Sequence, residues 1–251
     1  GFKYLCKQME KFSNKSNERI IIMNEEKLIL CNGMIQTCLK MDSSGINQGT
    51  AGNLSIRYSE GFLITPSSLP YDEMKPEDIV EMYWDGTYLG RRPSSEWRFH
   101  RDILKKRSDI NVVLHSHSLN ATSLAIHHKT IPAFHYMVGL AGGNNIRCAK
   151  YETFGTQALS DAALIALKDR MACLLGQHGM ISLGKNFEDA FTLATELETL
   201  SKIYVKALSI GETPVLSDEE MVRVIDQMKR MSYGKGPEPE GSNDIARPRN
   251  E

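Results

Sequence analysis

The chain has 251 residues, 41% of them hydrophobic and 24% charged, with a formal net charge of -1. That size suits one large domain that buries its own core without staples, and the balanced charge excludes a global field that would recruit nucleic acid or an anionic membrane. The five cysteines (Cys6, Cys31, Cys38, Cys148, Cys173) are scattered, with no C-x-x-C pair, and no apolar run reaches membrane-spanning length. A disulfide framework, a cysteine zinc site and a membrane span are therefore not expected, and a reducing, cytoplasmic setting is.

Residues 1–23 are rich in Lys, Asn and Ser and end in Ile20-Ile21-Ile22-Met23. They read as an N-terminal extension without order, with a natural start at Met23. The globular pattern begins where Asn24 can cap a helix over 25–42, with Gly45 just past its end. Leu54, Ile56 and Tyr58 then alternate as in a strand, 62–65 is a second short strand, and 79–83 a third. Trp84-Asp85-Gly86-Thr87 is a turn. A helix is predicted over 95–106, a buried strand over 110–115, and a helix over 120–127. Strands follow near 131–138 and 146–149, then a helix over 159–169 and strands at 172–175 and 181–183. Phe191, Ala194, Leu197, Leu200 and Ile203 recur at helical spacing within a long helix over 187–208, and a last helix covers 217–231. From Gly234 the chain turns to Pro, Glu, Gly and Ser, so 234–251 reads as a disordered tail. The folded domain is thus expected over 24–233, as an α/β layered fold with a largely antiparallel sheet.

Chemistry concentrates in few places. His115-Ser116-His117 ends the apolar strand, and residues two apart on a strand share a face. Two imidazoles on one face make half of a zinc site, although an H-x-H pair is also a common feature of ordinary strands. His178, in Gly176-Gln177-His178-Gly179 just past the 172–175 strand, is either a turn residue or a third ligand. His127 and His128 read as a solvated helix end, and His135 as a core or interface histidine. Pro93-Ser94-Ser95-Glu96 opens a helix; its hydroxyls and free N–H groups serve equally as caps or as a phosphate cradle. Glu96 could act as metal ligand or general base. His100, four residues on, could pair with it at a metal, although His115 and His117 make the better pair. Gly49-Thr50-Ala51-Gly52-Asn53 and Thr65-Pro66-Ser67-Ser68 are further polar loops able to converge on one anion. No lysine-containing P-loop and no G-x-G-x-x-G occurs, so nucleotide binding has no support.

Taken in order, these blocks resemble the class II aldolase and epimerase family over about residues 24–233. The matching stretches are Asn47-Gln48-Gly49-Thr50-Ala51-Gly52-Asn53-Leu54-Ser55, Ile64-Thr65-Pro66, Pro93-Ser94-Ser95-Glu96-Trp97-Arg98-Phe99-His100 and His115-Ser116-His117. They continue through Ile131-Pro132-Ala133-Phe134-His135-Tyr136-Met137, Ala141-Gly142-Gly143-Asn144, Phe154-Gly155-Thr156 and Gln177-His178-Gly179. The resemblance implies a three-layer α/β/α fold with a largely antiparallel central sheet and a homotetramer with active sites at subunit interfaces. It implies one Zn²⁺ per subunit on His115, His117 and His178, with Glu96 as resting ligand and acid/base. Phosphate would be bound at Gly52, Asn53, Ser67, Ser68, Ser94 and Ser95, and Ser67 and Ser68 stand where the family varies. Tyr136 would reach a neighbouring subunit's site, and Tyr233 would lie near the site.

The implied activity is cleavage of a ketose 1-phosphate, L-fuculose 1-phosphate first, to dihydroxyacetone phosphate and an aldehyde such as L-lactaldehyde. Epimerases of the family resemble this chain with Asp in place of Glu96, and a methylthioribulose-phosphate dehydratase shares the three-histidine site. Relatives in the membrane skeleton keep the fold as a non-catalytic scaffold without the metal ligands, whereas this chain has all of them.

Overall fold

A computed structural model of the chain describes residues 24–231. The extension at 1–23, the tail at 234–251 and Tyr233 lie outside the described residues.

The first helix, α1 (Glu25–Ser43), starts as its cap requires: the Asn24 side-chain oxygen accepts from the Lys27 amide at 2.7 Å. Cys31, Met34, Ile35, Cys38 and Met41 recur at helical spacing and are buried as one stripe. The chain then builds a meander of β1 (Asn53–Tyr58), β2 (Gly61–Ile64), β3 (Val80–Tyr83) and β4 (Tyr88–Leu89). Next come α2 (Trp97–Lys106), β5 (Val112–Ser116) and α3 (Leu119–Ile126). After them lie three very short strands, β6 (Ile131–Pro132), β7 (Asn145–Ile146) and β8 (Cys148–Ala149). The C-terminal half adds α4 (Gln157–Ala166), the hairpin β9 (Ala172–Leu175) and β10 (Gly179–Gly184), then α5 (Phe187–Ile210) and α6 (Asp218–Met231).

Eight strands form the central sheet in the order β4-β3-β2-β1-β5-β10-β9-β8. Every pairing is antiparallel except β8 with β9. Strand alternation divides the core in two. Leu54, Ile56, Leu63, Val112, Leu114, Leu174 and Met180 face α1, α3 and α5. Their neighbours Phe62, Ile64, Val113, Cys173, Leu175, Ile181 and Leu183 face Phe99, Ile103 and Leu104 of α2 and Leu159, Ala162 and Ala163 of α4. This is the expected α/β/α sandwich. Each face buries aliphatic side chains almost completely, at about 1.5–3 kcal/mol apiece.

Two expectations are corrected. The apolar run at 131–138 is strand only at Ile131–Pro132; Tyr136–Ala141 forms a 3₁₀ helix packed on α6. Close approach explains it: an added Cβ at Gly139 would meet Ile225, Met228 and Val224 at 3.2–3.4 Å, so the bare backbone lies directly on the helix. The helix predicted from Ser95 begins at Trp97, which leaves Glu96 in the capping position with φ -87° and ψ 7° rather than inside the first turn.

Candidate active site

The sheet brings distant segments together at one end of its central strands. Asn53 on β1 is the direct cross-strand partner of His115 on β5, and Ile181 on β10 lies on the other side of His115. His115 therefore projects from the middle of the sheet, on the face covered by α2, where Phe99 meets it edge-on at 5.5 Å. His117 follows two residues later. His178 comes from the β9–β10 turn, where Gln177 adopts φ 52°. Gly179 completes that turn because nothing larger fits: a Cβ there would lie 2.4 Å from the Ser116 carbonyl oxygen and 2.9 Å from the His117 ring.

The three imidazoles form a tight triangle. Their ring centroids are 4.8–5.0 Å apart, and one potential ligand atom from each lies within 4.8 Å of the others. His115 Nδ1–H donates to the Met180 carbonyl at 2.8 Å, which fixes the tautomer and leaves the Nε2 lone pair directed at the cluster. His117 Nε2 lies 3.1 Å from that atom. Two lone pairs at this distance repel unless a proton or a cation sits between them. Burial keeps all three rings from taking up protons: the pKa of His115 falls well below the usual value, that of His117 is lowered, and that of His178 drops to about 4, with neighbouring rings adding to the effect at His115 and His178. Neutral, convergent and oriented imidazoles are the state a metal ion binds.

Glu96 faces this triangle. One carboxylate oxygen accepts from the Gly155 amide at 3.1 Å. The other, Oε2, is buried without a hydrogen-bond partner, 3.9 Å from His178 Nε2. Gly155 has φ 72° and lies close to the Ser95 carbonyl, so the loop that delivers this amide depends on a glycine. Arg98 ties the same loop down by donating to the Gly155 carbonyl at 2.6 Å. Burial raises the Glu96 carboxyl to about 7, opposed by the Gly155 hydrogen bond. A buried carboxylate oxygen without a partner beside three neutral imidazoles is a donor set that could hold a divalent metal ion.

The cluster opens into a cleft of about 360 Å³. Of the residues singled out from sequence, Gly52, Asn53, Ser67, Ser68, Ser94, Ser95, Glu96, His117 and His178 all line it, and His115 lies beneath. The two serine pairs meet because Pro66 and Pro93 bridge as in a sheet and the Ser94 amide donates to the Thr65 carbonyl at 3.0 Å. Tyr136 is absent from the lining; it stands half exposed beside Arg223 and Met228 of α6. His127 and His128 are exposed, as expected for a helix end, and His135 caps the 3₁₀ segment by accepting from the Met137 amide. His100 does not join Glu96: its ring is fully buried and bonded to Ser55 and Asn53.

Sequence reasoning missed the lining residues Tyr151 and Glu152, gave no role to Phe154 or Gln177, and named Thr50 only as part of a polar loop. Tyr151 and Glu152 lie in an irregular loop after β8, where no periodicity marks a function. Thr50, Phe154 and Gln177 stood inside motif blocks, and that was the available signal.

The comparisons with known proteins bear on family and fold. The Class II Aldolase and Adducin N-terminal domain model matches residues 32–205. Over 211 residues the chain is 46% identical to the L-fuculose phosphate aldolase of Escherichia coli (strain K12), covering 83% of this chain and 97% of that one. It is also 46% identical, over 213 residues, to the 5-methylthioribulose-1-phosphate/5-deoxyribulose-1-phosphate aldolase of Rhodospirillum rubrum, with 84% and 96% covered. A solved structure of an L-fuculose 1-phosphate aldolase superposes with a TM-score of 0.78 at 36% identity, over 82% of this chain and 98% of that one. Fold, cleft and relatives together make the chain a member of the class II aldolase and adducin N-terminal domain family, and a lyase on its aldolase side.

Proposed function

We propose that the chain is a zinc-dependent aldolase that splits a ketose 1-phosphate, L-fuculose 1-phosphate first, into dihydroxyacetone phosphate and an aldehyde, L-lactaldehyde in that case. One observation carries this reading: three neutral imidazoles and the unpartnered Glu96 oxygen meet in a cleft lined by serines. His115, His117 and His178 would hold one zinc per subunit, with Glu96 as a fourth donor before substrate arrives. When bound, the metal supplies Lewis acidity at the sugar's carbonyl end, drawing off the charge that builds as the C3–C4 bond breaks.

The chain's own residues do the rest. Glu96, raised toward neutrality by burial, returns the proton to C3 after cleavage and removes it in condensation. Gly52, Asn53, Ser67, Ser68, Ser94 and Ser95 donate to the phosphate and so fix the sugar's orientation. Tyr136 of an adjacent subunit exchanges a proton with the C4 oxygen. Its exposure, and the exposed Phe154 and Tyr151 at the cleft rim, support a homotetramer in which subunits complete one another's sites. Tyr233 belongs near the site on the resemblance alone. Free thiols at Cys31, Cys38, Cys148 and Cys173 favour the reducing cytoplasm. Among the described residues no helix is long and apolar enough to cross a membrane.

Cleavage of 5-methylthioribulose or 5-deoxyribulose 1-phosphate is a second reading, favoured by the equal identity to the Rhodospirillum rubrum relative. A coupled assay of released dihydroxyacetone phosphate, with each ketose phosphate and with or without a chelator, tests both. Chelator-sensitive release fastest from L-fuculose 1-phosphate is expected. Faster release from a 5-substituted ribulose phosphate would select the second reading. No release from zinc-loaded protein would turn the assignment toward epimerase or dehydratase chemistry.

A further inference from the structure

We infer that His100 is a positioning residue for phosphate binding, holding the Asn53 carboxamide so that its NH₂ group faces the cleft. The inference rests on the reading of Asn53 as a phosphate ligand given above. Asn53 and Ser55 lie two apart on β1 and share the face covered by α2. From α2, the His100 ring stacks on Phe99 at 4.7 Å and is fully buried between them. Its Nδ1 is 2.7 Å from Ser55 Oγ and its Nε2 is 2.5 Å from Asn53 Oδ1.

The direction of these bonds follows from donor counting. A neutral imidazole has one N–H and one lone pair, and an amide oxygen only accepts. Nε2 therefore carries the hydrogen and donates to Asn53, while Nδ1 accepts from the Ser55 hydroxyl. Burial lowers the His100 pKa to about 3, so the ring stays neutral and keeps this arrangement over the working pH range. The row Ser55, His100, Asn53 thus points every donor toward the cleft. Its last donors are the Asn53 Nδ2 hydrogens, which have no protein partner among the described residues, and Asn53 lines the cleft. An anion satisfies them. A carboxamide turned by half a rotation would present its oxygen to the phosphate, exchanging attraction for repulsion.

The test uses the zinc-loaded full chain, with inorganic phosphate and dihydroxyacetone phosphate titrated by calorimetry. The variants are Asn53→Ala, His100→Phe, His100→Gln, His100→Asn and the double Asn53→Ala/His100→Phe. The terminal nitrogen of Gln reaches the place of Nε2, whereas that of Asn reaches only the place of Nδ1. His100→Gln should bind phosphate nearly as well as the parent. His100→Asn and His100→Phe should bind about tenfold more weakly, as for a misdirected hydrogen bond to a charged group. Zinc content should be unchanged, and KM for the sugar phosphate should rise more than kcat falls. The double variant should bind no more weakly than Asn53→Ala alone. If Asn53→Ala weakens phosphate binding while His100→Asn and His100→Phe do not, the positioning role is overturned and the phosphate reading stands. If Asn53→Ala itself leaves phosphate binding intact, both fall. Should His100→Phe fail to fold, equal phosphate affinity in the Gln and Asn variants would overturn the inference.

Discussion

Glu96 concentrates the chemistry of the site in one side chain. Its two carboxylate oxygens have different fates: one is anchored by the Gly155 amide, and the other is buried without a partner. Such an atom costs about 1–3 kcal/mol of stability if nothing binds it. A stable fold retains it for a ligand, which in the proposed mechanism is the metal at rest and a proton during turnover. Replacing Glu96 with Gln keeps the shape and the Gly155 contact but removes the basic oxygen. Turnover should fall by about two orders of magnitude or more, with zinc largely retained, because that is the usual contribution of a positioned general base. Exchange of the C3 proton of dihydroxyacetone phosphate with deuterated water should fall in parallel, since it needs the same proton transfer without the aldehyde. Near-normal exchange in the Gln variant would remove Glu96 from the mechanism.

Among the secondary-structure elements, the three clustered imidazoles depend on the β5–β10 pair and on Gly179. A methyl group at Gly179 would press on the His117 ring and on the Ser116 carbonyl, and the latter belongs to the β5–β10 pair and cannot retreat without parting the strands. Gly179→Ala should therefore cost about 1–3 kcal/mol in thermal stability, the scale of overpacking. It should also lower zinc retention by about tenfold or more, the scale for disturbing what orients a ligand. Gly45→Ala is the control. Gly45 has φ 75° with nothing near its missing Cβ, so Ala there strains the backbone and destabilises while leaving the zinc in place. Equal zinc loss in both variants would mean that the site simply follows global stability.

Legibility in the sequence also divides by element. That His115 and His117 share a face was readable because a strand's period of two is rigid; His178, open between turn residue and ligand, joined them only through the family resemblance. His100 was not readable. Its place four residues after Glu96 suggested a shared helical face, but the helix starts one residue past Glu96, so the two side chains follow different geometries. The run 131–138 was read as strand, although Tyr136–Ala141 is a 3₁₀ helix, because short apolar stretches fit strand and helix alike and only packing on α6 decides. Tyr151 and Glu152 owe their place in the cleft to the path of a loop, which no local pattern records.

At the scale of the whole molecule, strand order was beyond local reading, because β1–β5 and β5–β10 are contacts between segments far apart in sequence. That order is what gathers one site from six separate segments and leaves Tyr136 outside it. Tyr136 is half exposed and lies against α6 rather than in its own subunit's cleft. A side chain so placed can act in catalysis only by reaching another copy, and this makes the oligomer testable through chemistry. Tyr136→Phe chains keep a complete metal site but offer no tyrosine, while His117→Ala chains offer the tyrosine but lack a ligand. Each alone should be strongly impaired in cleavage. Unfolded together and reassembled in equal amounts, they should regain activity in roughly a quarter of the sites, those pairing an intact metal site with an intact neighbour. Light scattering on the parent and on the mixture should give four subunits in both. If the mixture stays as inactive as its parts while the tetramer re-forms, Tyr136 does not act across the interface. The proton at the C4 oxygen would then have to come from within the subunit, and the cleft residues Tyr151 and Glu152 become the groups to examine.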